Sequence, residues 1–192
     1  MIYVKWFLML PISLLVTVLG MLLSPILPLF AVQREGWLNN GNAWGVGWYL
    51  PKWLNWFQTP DNSLDGDYGW QTEHWQWRFK FPPKIATYIG RVGWLLRNPG
   101  QGYGVEYLIG NPITGTFKGN INVNDSPGVE GQCFIYVQDL VQWVWVRKIG
   151  NTGKCFYFNF GWNIKGCLSG TQTSHTATYT FSPRISTFKD AQ

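Results

Sequence analysis

Cysteine and histidine are scarce in this 192-residue sequence and positive charge is unclustered; each scarcity closes off a class of chemistry. Cys133, Cys155 and Cys167 lack CxxC spacing, so they argue neither for a zinc cluster nor for a full disulfide framework. Cys155 and Cys167 would pair across a hairpin in an oxidising compartment, while three thiols are equally natural on the cytoplasmic side. Of the two histidines, His175 sits among Ser and Thr at a strand start, where an exposed imidazole needs no function. His74 stands beside Glu73, but no serine or cysteine accompanies them in a recognisable nucleophile motif. No glycine-rich phosphate loop follows a strand, which leaves nucleotide use without support. The net charge of +5 is shared along the chain without a Lys/Arg tract, so nucleic acid is not an expected partner, and no cofactor is implied.

Charge is missing altogether from Trp6 to Gln33, and the centre of that stretch, Phe7 to Leu23, is almost wholly Leu, Ile, Val, Met and Phe. A helix of that length would reach about 42 Å, more than the roughly 30 Å of bilayer hydrocarbon. The stretch therefore predicts a single-pass anchor over residues 1–33, ended or kinked by Pro25 and Pro28. A buried core helix and a cleaved secretory signal are the competing readings; the run is longer than the usual signal core. Lys5 on one flank balances Arg34 and Lys52 on the other, so the positive-inside rule assigns no side to the soluble part.

What the chain does have is tryptophan. Nine of thirteen fall between Trp37 and Trp94, just after the anchor, where indoles suit a membrane interface. Residues 34–104 read as a Trp-rich membrane-proximal segment punctuated by Asn-Gly and closely spaced glycines. Within it, Pro51 to Phe57 places Trp53, Trp56 and Phe57 at i, i+3 and i+4 of a short amphipathic turn, a candidate binding surface. In the acidic loop that follows, Asp61, Ser63, Asp65 and Asp67 occupy alternating positions and Gly66 allows a sharp bend, resembling the first half of a calcium loop. The twelfth position is Thr72 rather than Glu, with Glu73 one place late, and the competing reading is an Asx-rich turn. From Trp75 to Phe81 aromatic and polar residues alternate as in a half-buried strand stopped by Pro82-Pro83. Ile85 to Leu96 is apolar but interrupted by Gly90, Arg91 and Gly93, too short to cross a membrane. Arg91 to Leu96 reads as a short helix or strand ending at Asn98-Pro99, and Arg97 is a candidate to clasp the acidic loop.

Residues 105–192 carry six short runs rich in Phe, Tyr, Trp and Val between Gly, Asn and Asp turns. They lie at Val105–Ile109, Thr114–Lys118, Gln132–Gln138, Val141–Arg147, Lys154–Phe160 and Thr176–Phe181. The fold class is therefore mainly β, an N-terminal transmembrane helix followed by one antiparallel domain, barrel-like or sandwich, with short helical segments. Residues 34–104 are expected to pack with 105–192 as that one domain. Trp143 and Trp145 share a strand face with Val141 and are expected to fill the core. Phe156, Phe158 and Phe160 share a face opposite Cys155, Tyr157 and Asn159.

Leu50-Pro51-Lys52-Trp53-Leu54, the run Phe57 to Asn62, Asp65-Gly66-Asp67, Trp94 to Pro99 and Tyr103-Gly104 together resemble a recurrent group of small proteins of tailed bacteriophages and prophages. The resemblance implies an N-terminal anchor, the Thr-Pro-Asp-Asn and Arg-Asn-Pro segments and a strand-rich end with a Gly-Trp pair, here Gly161-Trp162. It implies no enzymatic activity. The expected function is a noncatalytic protein of the host inner membrane that binds an envelope or virion partner. The alternative is an envelope hydrolase acting on cell wall or lipid, which requires Asp61, Asp65, Asp67 and His74 to converge on one cleft.

Overall fold

A computed structural model describes residues 2–39, 41–74, 80–109, 115–123, 128–164 and 174–188. The chain parts into two compact units, one of Met1–Ser13 with Gly104–Gln192, the other of Leu14–Tyr103. Helix α1, Ile2–Leu23, contributes its first three turns to the former and the remainder to the latter.

The first unit is an antiparallel β structure. Strands β4 (Thr116–Gly119), β5 (Gly131–Val137), β6 (Leu140–Lys148), β7 (Lys154–Trp162) and β9 (Tyr179–Thr187) form an open five-stranded sheet in the order β4-β5-β6-β7-β9. Strands β3 (Glu106–Ile109) and β8 (Ser174–Ala177) make a separate two-stranded pair. The fold is thus mainly β as expected, without a closed barrel among the described residues. One sheet face is made of Cys133, Ile135, Val137, Val144, Val146, Cys155 and Tyr157, all buried. The opposite face carries a cross-strand aromatic row, Phe134 opposite Trp143, Trp143 opposite Phe160 and Phe160 opposite Phe181. Phe134 and Trp143 stack with centroids 5.7 Å apart, and such directly opposed aromatic pairs add to sheet stability beyond simple area burial. Trp143 and Trp145 are therefore half-buried on this second face, and Val144 and Val146, alternating with them, occupy the fully enclosed one. Cys133 and Cys155 are buried thiols, Cys155 Sγ lying 3.7 Å from the Ser186 carbonyl; Cys167 is outside the described residues.

The first turns of α1 belong to that aromatic face. Trp6 stacks on Phe160 at 4.3 Å, and its carbonyl accepts a hydrogen bond from the Tyr179 hydroxyl. Gly161 and Gly104 both have positive φ, and a Cβ would collide with the Trp6 indole at Gly161 and with the Met9 methyl at Gly104. Here glycine is required both by backbone conformation and by the close approach of a helix. The Gly161-Trp162 pair thereby acquires a structural role. Gly161 admits Trp6, and the fully buried Trp162 donates its indole N–H to the Gly104 carbonyl at 3.0 Å.

In the second unit the helix ends at Leu23, two residues before Pro25, and a single 3-10 turn over Leu27–Phe30 leads into strand β1 (Val32–Leu38). Strand β2 (Ala43–Tyr49) pairs with it from Val32–Tyr49 to Leu38–Ala43. This hairpin replaces the irregular glycine-punctuated stretch expected there. Its glycines sit inside the strands because the Tyr49 ring lies over Gly36, where an added Cβ would come within 2.8 Å. Lys52–Phe57 forms the expected helical turn. Helix α2 (Tyr68–Glu73) and helix α3 (Pro83–Arg97) complete the unit. Pro83 starts α3 at a position where its missing N–H costs nothing, so the short element expected at Arg91 extends back to Pro83. Of the expected strand Trp75–Phe81, residues 75–79 lie outside the described residues, while Lys80 is helical. Leu27, Leu50, Leu54, Leu64 and Leu95 make the small apolar core.

Candidate functional site

The acidic loop is held by its own backbone and by buried polar side chains. Gln58, 3% exposed, accepts the Leu50 N–H through Oε1 at 2.6 Å and donates through Nε2 to the Asn62 carbonyl at 2.8 Å. Asn62 and Ser63 are buried, and Ser63 Oγ accepts the Asp65 N–H at 3.3 Å in a local side-chain turn. The Asp61 carbonyl accepts the Gly41 N–H at 2.8 Å, tying the loop to the turn between β1 and β2. Gly66, at φ +78, bends the chain, and Asp67 then caps α2 by accepting the Trp70 N–H at 2.7 Å. The loop is thus fixed by a serine side-chain turn and a helix cap. Among the described residues no three His, Cys, Asp or Glu side chains gather as a group that could hold a metal ion.

The loop and the two helices enclose a pocket of about 420 Å³. Trp48 of β2 and Asp65 of the loop form one side, Trp70, Gln71 and His74 of α2 another, and Ala86, Thr87, Gly90 and Arg91 of α3 the third. A Cβ at Gly90 would meet nothing, so this part of the wall is open. Arg91 Nε donates to Asp65 Oδ1 at 2.7 Å, and its guanidinium lies 4.8 Å over the Trp48 ring. His74 stacks on Trp70 with centroids 3.7 Å apart and sets Nδ1 at 2.9 Å from the Trp70 carbonyl. A carbonyl can only accept, so that contact places the imidazole proton on Nδ1. The Thr87 hydroxyl donates back along α3 to the Pro83 carbonyl at 2.9 Å. Aromatic walls, an ion pair and an amide thus line this pocket.

Arg91 makes an ion pair with the acidic loop, at Asp65, that the sequence did not single out. Arg97, the residue expected to clasp the loop, sets its guanidinium 5.6 Å over Trp70 and 6.0 Å over Trp94. Of the other expected binding residues, Trp53 and Trp56 are 72% and 55% exposed, Trp53 edge-on to Phe30 and Trp56 edge-on to Tyr103. Phe57 turns inward against the leucine core with the buried Leu54. Asp65 and His74 share the pocket lining, whereas Asp67 is engaged as a helix cap. Sequence reasoning passed over Arg91 and Trp48. The available signal was one charge inside the apolar run Ile85 to Leu96, which a carboxylate partner explains.

No curated protein and no solved structure matches the chain. A family model covers residues 1–189, nearly the whole length, and the chain belongs to that family of unknown function, DUF7338.

Proposed function

We propose that the protein is a noncatalytic component of a bacteriophage or prophage, held at the inner membrane of the host cell by α1, that binds an envelope or virion partner. The observation that carries this reading is the uncovered apolar half of α1. Phe7, Leu8, Leu15 and Leu22 are 57%, 66%, 59% and 69% exposed on a helix long and apolar enough to cross a membrane. Such a surface calls for a nonaqueous cover. The exposed indoles Trp44, Trp53 and Trp56 of the second unit supply amphipathic groups for a bilayer interface or a protein partner. The phage and prophage origin rests on the Thr-Pro-Asp-Asn and Arg-Asn-Pro segments described above. The test is fractionation of the full chain after a carbonate wash, where retention in the membrane pellet is expected and a soluble chain overturns the reading. Recovery in purified particles assigns the partner to the virion, and recovery only in host membranes assigns it to the envelope.

The shared lining of Asp65 and His74 favours one second reading, an envelope hydrolase. It expects cell-wall or lipid turnover that disappears in His74→Ala with the fold intact. Unchanged turnover in that variant removes it.

A further inference from the structure

The β unit makes a specific berth for the start of α1, and this bears on how the helix meets a membrane. Lys5 Nζ is 2.7 Å from Glu106 Oε1, Trp6 stacks on Phe160, and Gly161 and Gly104 leave the space that Trp6 and Met9 occupy. Residues at both ends of the sequence therefore lie in one packed unit. A helix that crossed the bilayer would instead put its N-terminal end at one surface, most of residues 2–13 within the hydrocarbon and everything after Leu23 beyond the other surface. Among the described residues α1 is the one helix long and apolar enough to cross, and the undescribed internal stretches, nine residues at most, are too short to return as a helix. Residues 104–192 consequently follow the C-terminal end of α1 and cannot reach its N-terminal turns through the hydrocarbon.

Deepening the membrane reading proposed above, on which it rests, we infer that α1 does not span the bilayer. It lies in the plane of one leaflet, with one side on the protein and the other among acyl chains. The distribution of residues around the helix fits this occupant. In the β unit Trp6 and Ser13 are buried while Tyr3, Val4, Phe7, Leu8 and Ile12 are exposed; in the second unit Val16 and Gly20 are buried while Leu14, Leu15, Val18, Leu19, Met21 and Leu22 are exposed. Within each unit the exposed residues cover roughly half the helix circumference at about 100° per residue. A helix seated on another protein helix needs a narrower apolar stripe, of about 100°, bordered by polar groups. Here nothing charged interrupts the outward half after Lys5, whose amine turns to Glu106, and an apolar depression is lined by Val4, Leu8, Met9 and Ile12 beside it. The 3-10 turn beyond α1 continues the uncovered surface with Leu29, 70% exposed, and Phe30 beside Trp53.

The test uses the full chain in sealed inner-membrane vesicles of both orientations, with Cys167→Ser added so that the remaining native thiols are the buried Cys133 and Cys155. Single cysteines are introduced by Lys5→Cys near the start of α1, beside Glu106, and by Asn151→Cys in the exposed turn between β6 and β7, and probed with a membrane-impermeant maleimide. An in-plane helix labels both sites from the same side. A short bifunctional maleimide then joins Lys5→Cys to Glu106→Cys within one chain in the carbonate-washed membrane, as mapped by mass spectrometry. Labelling of the two single sites from opposite sides overturns the in-plane inference and leaves membrane attachment standing. Loss of the unmodified chain to the soluble fraction overturns both.

Discussion

The two units are held together differently. In the first, the buried cluster joins Trp6 to residues of β5, β6, β7, β8 and β9, with aromatic contacts continuing on the second sheet face. In the second, five leucines form the apolar core and buried Gln58, Thr59, Asn62 and Ser63 sit beside the acidic loop. The first relies mostly on burial of apolar area, which is nondirectional, although the fully buried Gln142 also bonds Asn159 and the Ile164 N–H there; the second has the smaller apolar core and relies more on hydrogen bonds whose partners become a penalty once unmade. The second unit also contains the pocket lined by Asp65, Gln71 and Arg91, where an ion pair and an amide are held beside buried polar groups of the loop.

The contrast is broken most severely by Trp162→Ala. That indole is 0% exposed, packs edge-on against Tyr179 at 4.9 Å and donates to Gly104, so its removal leaves a cavity and an unpaired carbonyl. A loss of about 3–5 kcal/mol is expected in the unfolding of the β unit, read by denaturant titration with a probe in that unit. In the second unit Gln58→Leu keeps the approximate volume but strands the Leu50 N–H and the Asn62 carbonyl. We expect about 2–4 kcal/mol of destabilisation, from a penalty of roughly 1–3 kcal/mol per unsatisfied buried group. A larger effect from Gln58→Leu than from Trp162→Ala would reverse the assignment of which unit depends on which force.

The same difference decided what could be read from the sequence. Strands β5, β6 and β7 were legible within a residue or two, because apolar alternation between glycine and asparagine turns has few other solutions. Which face is innermost was not legible. Both faces of β6 are apolar, so alternation assigns Trp143 and Val144 to opposite sides without ranking them; packing enclosed Val144 and left Trp143 in a half-covered aromatic row. The hairpin β1–β2 was hidden by Gly36, Gly45 and Gly47, which read locally as breaks but accommodate the Tyr49 and Leu38 side chains. The pocket was hidden by distance along the chain, since Asp65 and Arg91 are 26 residues apart and only the fold brings them together. In the acidic loop Gly66 was legible as the bend.

A smaller effect sharpens the account of the pocket. The Arg91 side chain is 13% exposed and that of Asp65 36%, so solvent screens part of their attraction. Asp65→Asn and Arg91→Gln are each expected to cost about 1–2 kcal/mol, with a coupling of about 1 kcal/mol in the double-mutant cycle. Added millimolar calcium should leave the melting temperature of the parent chain unchanged, because the Arg91 guanidinium already neutralises the carboxylate best placed to receive a cation. A calcium-dependent rise lost in Asp65→Asn would instead assign the loop to a metal.

The smallest expected effect separates the units by pH. Burial raises the Tyr49 phenol above its ordinary value of 10.0; the Arg34 guanidinium opposes that shift and Asp65 adds to it. In the β unit, burial raises the Cys133 thiol above 9.0. Both groups are neutral when protonated, and a raised value in the folded state means that the folded chain holds the proton more tightly than the unfolded chain. Their contributions are therefore complete at neutral pH. They begin to fall as pH rises past the unfolded values, near 9.0 in the β unit and near 10.0 in the second, and are lost as each folded value is passed. Thermal unfolding followed separately in the two units should show the β unit weakening first on an alkaline titration. Cys133→Ala should flatten the earlier slope. Tyr49→Phe should flatten the later one while costing about 1 kcal/mol at neutral pH through the lost hydrogen bond from its hydroxyl to the Trp37 carbonyl. If the second unit weakens first, Tyr49 is not the group that governs its alkaline edge, and the tyrosine packed over Gly36 serves shape alone.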